Sequence, residues 1–347
     1  MMVVRPVTEA DNDALCRMEL LAPQGTTIRL TERRFEFAAR SRQFPGAVLY
    51  VAADDTSGDL AAVLGGAPVA MRLGGKERMA GVLFDLRANP AKERGLSRIL
   101  LLLWQAVEKQ LIAGGAEFMI GMVKADNPAL SIYYRLGAVK KGTRRFWSFP
   151  VYKRRPVPAG LVIGAKLDAR DDYQAAGEWY KDYDLWPLNP DWGHMQSLQD
   201  RYTHAEINYA GASLKIWDTT VDNERVVTAM PRIFHWARPL AQAAGAVIPL
   251  PRIPRVGQPL RTWFLYDLRV PAGSRALKTL IAAANNLALA EKVDFLILSS
   301  SPGEIELAGL NKGTLYGLDY HFLVRENPGC EPVPDLLPRT YFDIRMT

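Results

Sequence analysis

The chain carries an internal repeat. The stretch Leu83-Phe84-Asp85-Leu86-Arg87 returns as Leu265-Tyr266-Asp267-Leu268-Arg269, an offset of 182. "SRILLLLWQAVEKQLIAGGAEF" from Ser97 returns as "SRALKTLIAAANNLALAEKVDF" from Ser274, an offset of 177. Each copy reads as a buried strand followed by a long apolar helix. The registers differ by five residues, so the second copy is shorter between strand and helix. Such a repeat admits few folds other than two tandem α/β units. The 347 residues allow two cores. "PVPAG" (156–160) reads as the linker, dividing the chain into 1–155 and 156–347.

The first half alternates strand and helix signals. Segments 46–54, 62–73 and 78–88 read as strands, and a helix runs to about Ile112 before "GG" stops it. Segment 117–123 is a buried strand and "NPALSIYYRLG" a helix. "TRRFWSFPVY" reads as an exposed-edge strand. Two cysteines, Cys16 and Cys330, lie far apart, which excludes a disulfide framework and fits a cytoplasmic protein. The four histidines lack ligand spacing, so no metal is expected. No apolar run is long enough to cross a bilayer. The net charge of +6 is a mild excess, without the aromatic-basic signature of a nucleic-acid protein. The partners expected are an amine acceptor, no membrane and no nucleic acid, with the chain a monomer or homodimer.

The five residues that the second copy has lost come from the loop "ANPAKERGL" (88–96). A strand, a turn with glycine and the start of a long helix make an anion site, because the first helical N–H groups are unpaired and the macrodipole is positive there. Lys92, Arg94 and Arg98 add full charges, and Gly95 lets the backbone approach a phosphate. The turn has neither a P-loop pattern nor the three glycines of a dinucleotide site. Asp85 stands out as an acid inside the apolar strand "VLFDLR". Alternation puts it on the face of Leu83, and burial would raise its pKa into a range useful for a general base. Asp267 holds the same place in the second copy, which argues for a structural role. A chain of waters is the alternative base.

Lys92-Glu93-Arg94-Gly95-Leu96-Ser97 resembles the Q/R-x-x-G-x-G/A pyrophosphate loop of the GCN5-related N-acetyltransferases. "DNPALSIYYRLGA" (126–138) resembles their second hallmark, N-P-A-L-x-L-Y-x-x-L-G-F. The chain departs from these patterns at Lys92, at Ser97 and at Ala138. Over its length it is similar to the Hookless-type N-acetyltransferases of plants, which join an acetyltransferase half to a degenerate one. The resemblance implies two tandem acyl-CoA N-acyltransferase folds with a mixed central sheet, splayed strands and a degenerate C-terminal copy. It implies that acetyl-CoA enters a wedge between the strands around 80–88 and 117–123. Main-chain groups of Leu86, Arg87 and Ala88 would bind the pantetheine and acetyl oxygen, and Asn127 would hold the pantetheine arm. Leu96, Ser97 and Arg98 would complete the phosphate site, and Tyr133 would protonate the departing thiolate. Tyr133 maps onto Leu310 and Asn127 onto Glu304, so the second copy is not expected to bind CoA.

The activity implied is acetyl transfer to a primary amine, by direct attack in a ternary complex because no cysteine lies near the motifs. Two alternatives stand beside it: a non-catalytic CoA-binding scaffold, and aminoacyl transfer from tRNA.

Overall fold

The apolar residues of "SRILLLLWQAVEKQLIA" recur at spacings of three and four, the period that lines one face of a helix. They form a helix that buries Leu103, Trp104, Val107 and Leu111 against a sheet. The computed structural model describes residues 2–25, 28–91, 96–127, 129–164, 168–245, 249–271, 274–301, 309, 313–314, 316–336 and 338–346. Its first half holds β1 (Met2–Pro6), α1 (Asn12–Leu20), β2 (Arg29–Arg34), β3 (Val48–Asp54), β4 (Leu60–Leu73), β5 (Lys76–Ala88), α2 (Leu96–Ala113), β6 (Phe118–Lys124), α3 (Leu130–Arg135) and β7 (Val139–Pro150). There follow β8 (Val162–Gly164), α4 (Ala169–Trp179), α5 (Trp192–Tyr202), β9 (Thr203–Tyr209), β10 (Ala212–Asp218) and β11 (Asn223–Ala229). The chain then runs through α6 (Arg232–Gly245), β12 (Pro259–Leu260), β13 (Thr262–Arg269), α7 (Ala276–Ala290), β14 (Phe295–Ser300) and β15 (Tyr316–Glu326).

The repeat is structural. Strand β5 pairs in parallel with β6 from Ala80↔Phe118 to Leu83↔Gly121. Strand β13 pairs in parallel with β14 from Thr262↔Phe295 to Leu265↔Leu298. These are the sequence offsets, 182 on one strand and 177 on the other. The buried residues Ile99, Leu100, Leu103, Trp104, Val107 and Leu111 of α2 correspond at 177 to Ala276, Leu277, Leu280, Ile281, Ala284 and Ala288 of α7, all buried as well.

One twelve-stranded sheet runs through both halves, in the order β1-β3-β4-β5-β6-β15-β7-β14-β13-β10-β9-β8. The halves exchange strands. Strand β15 of the second half pairs with β6 of the first, and β7 of the first pairs with β14 of the second. Strands β7 and β15 pair with each other antiparallel at the centre, where Arg144 faces Tyr320. The segment expected at an exposed edge is therefore the middle of the sheet. Its basic side chains find partners in neighbouring strands: Arg145 reaches Asp319 of β15 at 2.6 Å, and Arg144 reaches Ser299 of β14 at 2.7 Å. Basic residues whose partners lie on neighbouring strands read from sequence as solvated.

Helices α2 and α7 cover one face with separate cores. On the opposite face a single core crosses both halves, from Phe44 and Phe84 through Phe322 to Trp217 and Phe264. Residues 151–161 carry no helix or strand. They dock on α7, where Asn286 bonds both the N–H and the C=O of Arg155 at 2.8 Å. A second, three-stranded sheet joins β2 of the first half to β11 and β12 of the second.

Candidate active site

The parallel pairing of β5 with β6 stops at Leu83 because β5 bulges. Its register against β4 slips between Gly65↔Phe84 and Val63↔Arg87, and Asp85 sits in the bulge at φ +56°. An L-residue there is strained, so the surroundings must hold it. The second copy repeats the feature: Asp267 has φ +49° and the register of β13 against β10 slips at the same place.

The bulge corrects two expectations for Asp85. Leu83 packs under α2 and Phe84 in the opposite core. The irregular turn leaves Asp85 facing Arg34 and Arg40, on the side away from Leu83. Arg34 donates from Nη1 and Nη2 to the two carboxylate oxygens at 2.9 and 2.6 Å, and Arg40 adds a bond of 2.8 Å. Burial alone would raise the Asp85 carboxyl, as expected from sequence. The two guanidiniums outweigh it and hold the group well below the usual carboxylate range. Such a carboxylate keeps its charge and has little affinity for a proton, the reverse of a tuned base. Glu32 joins the cluster through Arg34 and Arg40, and Glu19 engages Arg87 at 2.8 Å. The sequence reading missed Arg34, Arg40, Glu32 and Glu19. The signal for Glu32, Arg34 and Arg40 was the charge density of "LTERRFEFAAR" (30–40), too many ions for a strand and turn next to the apolar core; Glu19, in α1, had none.

Beyond the bulge, β5 and β6 part. The N–H of Asn89 bonds Ala61 of β4 at 2.8 Å. Alternation then turns the main chain of Arg87 toward β4 and that of Leu86 and Ala88 into the gap. The Leu86 carbonyl accepts from the Arg87 guanidinium at 3.1 Å. Among the described residues nothing bonds the gap-side groups of Ala88. Of the three residues expected to bind cofactor through their backbone, two face the gap and Arg87 does not.

Tyr133 of α3 is buried beside the gap, its ring edge-on to Trp104 with centroids 5.8 Å apart. Among the described residues its hydroxyl has no hydrogen-bond partner. Burial pushes the phenol up to about 12, against a small opposing pull from Arg87. It therefore keeps its proton at any physiological pH. Asn127 accepts from the Ala129 N–H at 2.9 Å, which closes the turn into α3 and leaves its side-chain N–H groups to donate. Leu96 opens α2, and Ser97 and Arg98 are exposed in its first turn. Lys92, Arg94 and Gly95 lie outside the described residues, as do Glu304 and Leu310.

The equivalent gap between β13 and β14 is filled. The Tyr180 hydroxyl donates to the carbonyl of Leu268, the counterpart of Leu86, at 3.1 Å. Tyr180 belongs to an aromatic cluster with Tyr173, Trp186 and Tyr341. Arg144 bonds both the hydroxyl and the carbonyl of Ser299 at the end of β14. Ser274 and Arg275, the counterparts of Ser97 and Arg98, are not helical, so the helix turn that would cradle a phosphate is missing.

No family model matches the sequence, and no curated protein matches it. In three dimensions the chain is similar to Saccharomyces cerevisiae N-myristoyltransferase with bound myristoyl-CoA, at TM-score 0.63 and 12% identity over 97% of this chain and 87% of that one. A second structure of the yeast enzyme with myristoyl-CoA gives TM-score 0.64 at 11% identity, covering 99% and 85%. A GCN5-related N-acetyltransferase from Kribbella flavida gives TM-score 0.51 at 12% identity, covering 94% and 71%. The bulged strand, the parted neighbour and the helix opening beside them thus belong to a chain with the fold of these N-acyltransferases.

Proposed function

We propose that the chain is an N-acyltransferase that moves an acetyl group from acetyl-CoA to a primary amine, using the gap between β5 and β6. The observation that carries this reading is the asymmetry of the two gaps. They are built alike, and Tyr180 and Arg144 occupy the second while the first keeps the main chain of Ala88 and the start of α2. CoA enters with its pyrophosphate at the turn of Lys92, Arg94 and Gly95 and the N–H groups of Leu96, Ser97 and Arg98. Asn127 donates to the pantetheine. The N–H groups of Leu86 and Ala88 face the thioester, where a donor aimed at the developing oxyanion lowers the barrier. The amine nitrogen attacks the carbonyl carbon, the C–S bond breaks, and the thiolate takes the proton of Tyr133. The proton of the attacking amine leaves to water, because Asp85 is committed to two arginines.

The test is release of free CoA thiol from acyl-CoA donors of two to fourteen carbons with a panel of amines. Amine-dependent release, fastest with acetyl-CoA, supports the reading. Binding of acetyl-CoA without release for any amine reduces the chain to a CoA-binding scaffold. Preference for the long donors moves the donor from acetyl to fatty acyl.

A further inference from the structure

Helix α6 wears its apolar face outward. At about 100° per residue, Ile233, Trp236, Leu240, Ala243 and Ala244 fall within an arc of about 100°, the stripe that a globular helix buries. Here all five are exposed; Ile233, Trp236 and Leu240 are 68%, 78% and 74% accessible. The half-buried residues Phe234, Ala237 and Arg238 lie to one side of that stripe. The helix thus meets the protein with its weaker face.

Charge supplies the second observation. Between Glu224 and Asp267 the chain has six arginines and no acidic residue. The net charge of the whole chain is +6, so this stretch accounts for all of it. Arg225 and Arg252 lie 4.0 Å from Glu32 and Asp294, and Arg261 bonds a main-chain carbonyl. Arg232, Arg238 and Arg255 pair with no described carboxylate. An exposed apolar stripe carrying a tryptophan, bordered by the exposed Arg232 and set in a stretch of chain that carries arginines and no acid, has the chemistry of a helix that lies in a lipid headgroup layer. No described helix is long and apolar enough to cross a membrane, and none is needed for this attachment.

We propose that α6 docks the protein on a membrane surface containing anionic phospholipid, with Ile233, Trp236 and Leu240 inserted and Arg232, at the edge of the stripe, against the headgroups. A protein partner would require an acidic rim around an apolar groove. A bilayer supplies both features without a matching shape. The expectation of no membrane partner, drawn from the lack of a spanning segment, does not bear on a helix lying flat.

The full chain should co-sediment with vesicles of phosphatidylcholine and phosphatidylserine in a 7:3 ratio, and not with phosphatidylcholine alone. Binding should fall as salt rises, because the headgroup attraction is screened. Arg232→Gln should weaken it about fivefold, the worth of one cation near such a surface. The combined change Ile233→Ser, Trp236→Ser and Leu240→Ser should abolish it. These side chains are exposed, so the melting temperature should stay unchanged. Failure of the unaltered protein to bind the mixed vesicles overturns the proposal, as does equal binding by the triple variant. A dimer that the triple variant loses, with no vesicle binding by either protein, overturns it in favour of a second copy covering the stripe.

Discussion

Asp85 sits at φ +56° in the bulge of β5, and Arg34 and Arg40 hold its carboxylate there at 2.6 and 2.8 Å. Neutralising it tests the structural role. Asp85→Asn leaves Arg34, whose side chain is 3% accessible, short of its main counter-charge. Stranding one partner of a buried pair costs about 3–5 kcal/mol, measurable by urea denaturation. The pH dependence has a definite sign. The folded carboxyl lies below its unfolded value of about 3.9, so its contribution is full above roughly pH 4 and is lost as pH falls through the folded value. Asp85→Asn should therefore flatten the acid limb of stability below pH 4. A variant of normal stability that lost all turnover would return Asp85 to the chemistry. Tyr133 carries the opposite expectation. Tyr133→Phe keeps ring and packing against Trp104 and removes the proton donor. Turnover should fall by about 10²–10⁴ with acetyl-CoA affinity little changed; near-normal turnover in the folded variant removes Tyr133 from the mechanism.

Among the elements, helices and buried strands were the legible part, because their periods are written in local sequence. Strands β4, β5 and β6 and helix α2 lie within a few residues of the expected bounds. The place of β7 was not legible, since Arg144 and Arg145 announce solvent until Ser299 and Asp319 are known to face them. The second gap shows the same limit: the short loop before Ala276 was visible, and the plug of Tyr180 on Leu268, distant in sequence, was not. One filled gap and one open gap predict a single CoA per chain. Calorimetry should give a stoichiometry of one, and two would end the argument from asymmetry. Gly95→Glu should abolish that binding while leaving the melt unchanged. Unchanged affinity would make the turn a plain helix cap.

For the whole molecule, the repeat predicted two units, and strand exchange ties them together. Each half lends the central strand that the other needs, so a cut at the linker removes a partner from β6 and from β14. Residues 1–155 produced alone should remain unfolded or aggregate through the bare edge of β6. Co-production with 156–347 should restore a soluble complex, detected by co-purification; a cooperative melt from 1–155 alone would disprove the dependence. The same exchange orders events on the ribosome. The edge of β6 is complete at Lys124, and its partner begins only at Tyr316. At synthesis rates of 5–20 residues per second, that edge waits roughly 10–40 s for a neighbour. The strand that walls the catalytic gap thus gains its second neighbour late, only after residue 316 is made, so a truncated product is not a weak enzyme but an adhesive strand in search of a partner.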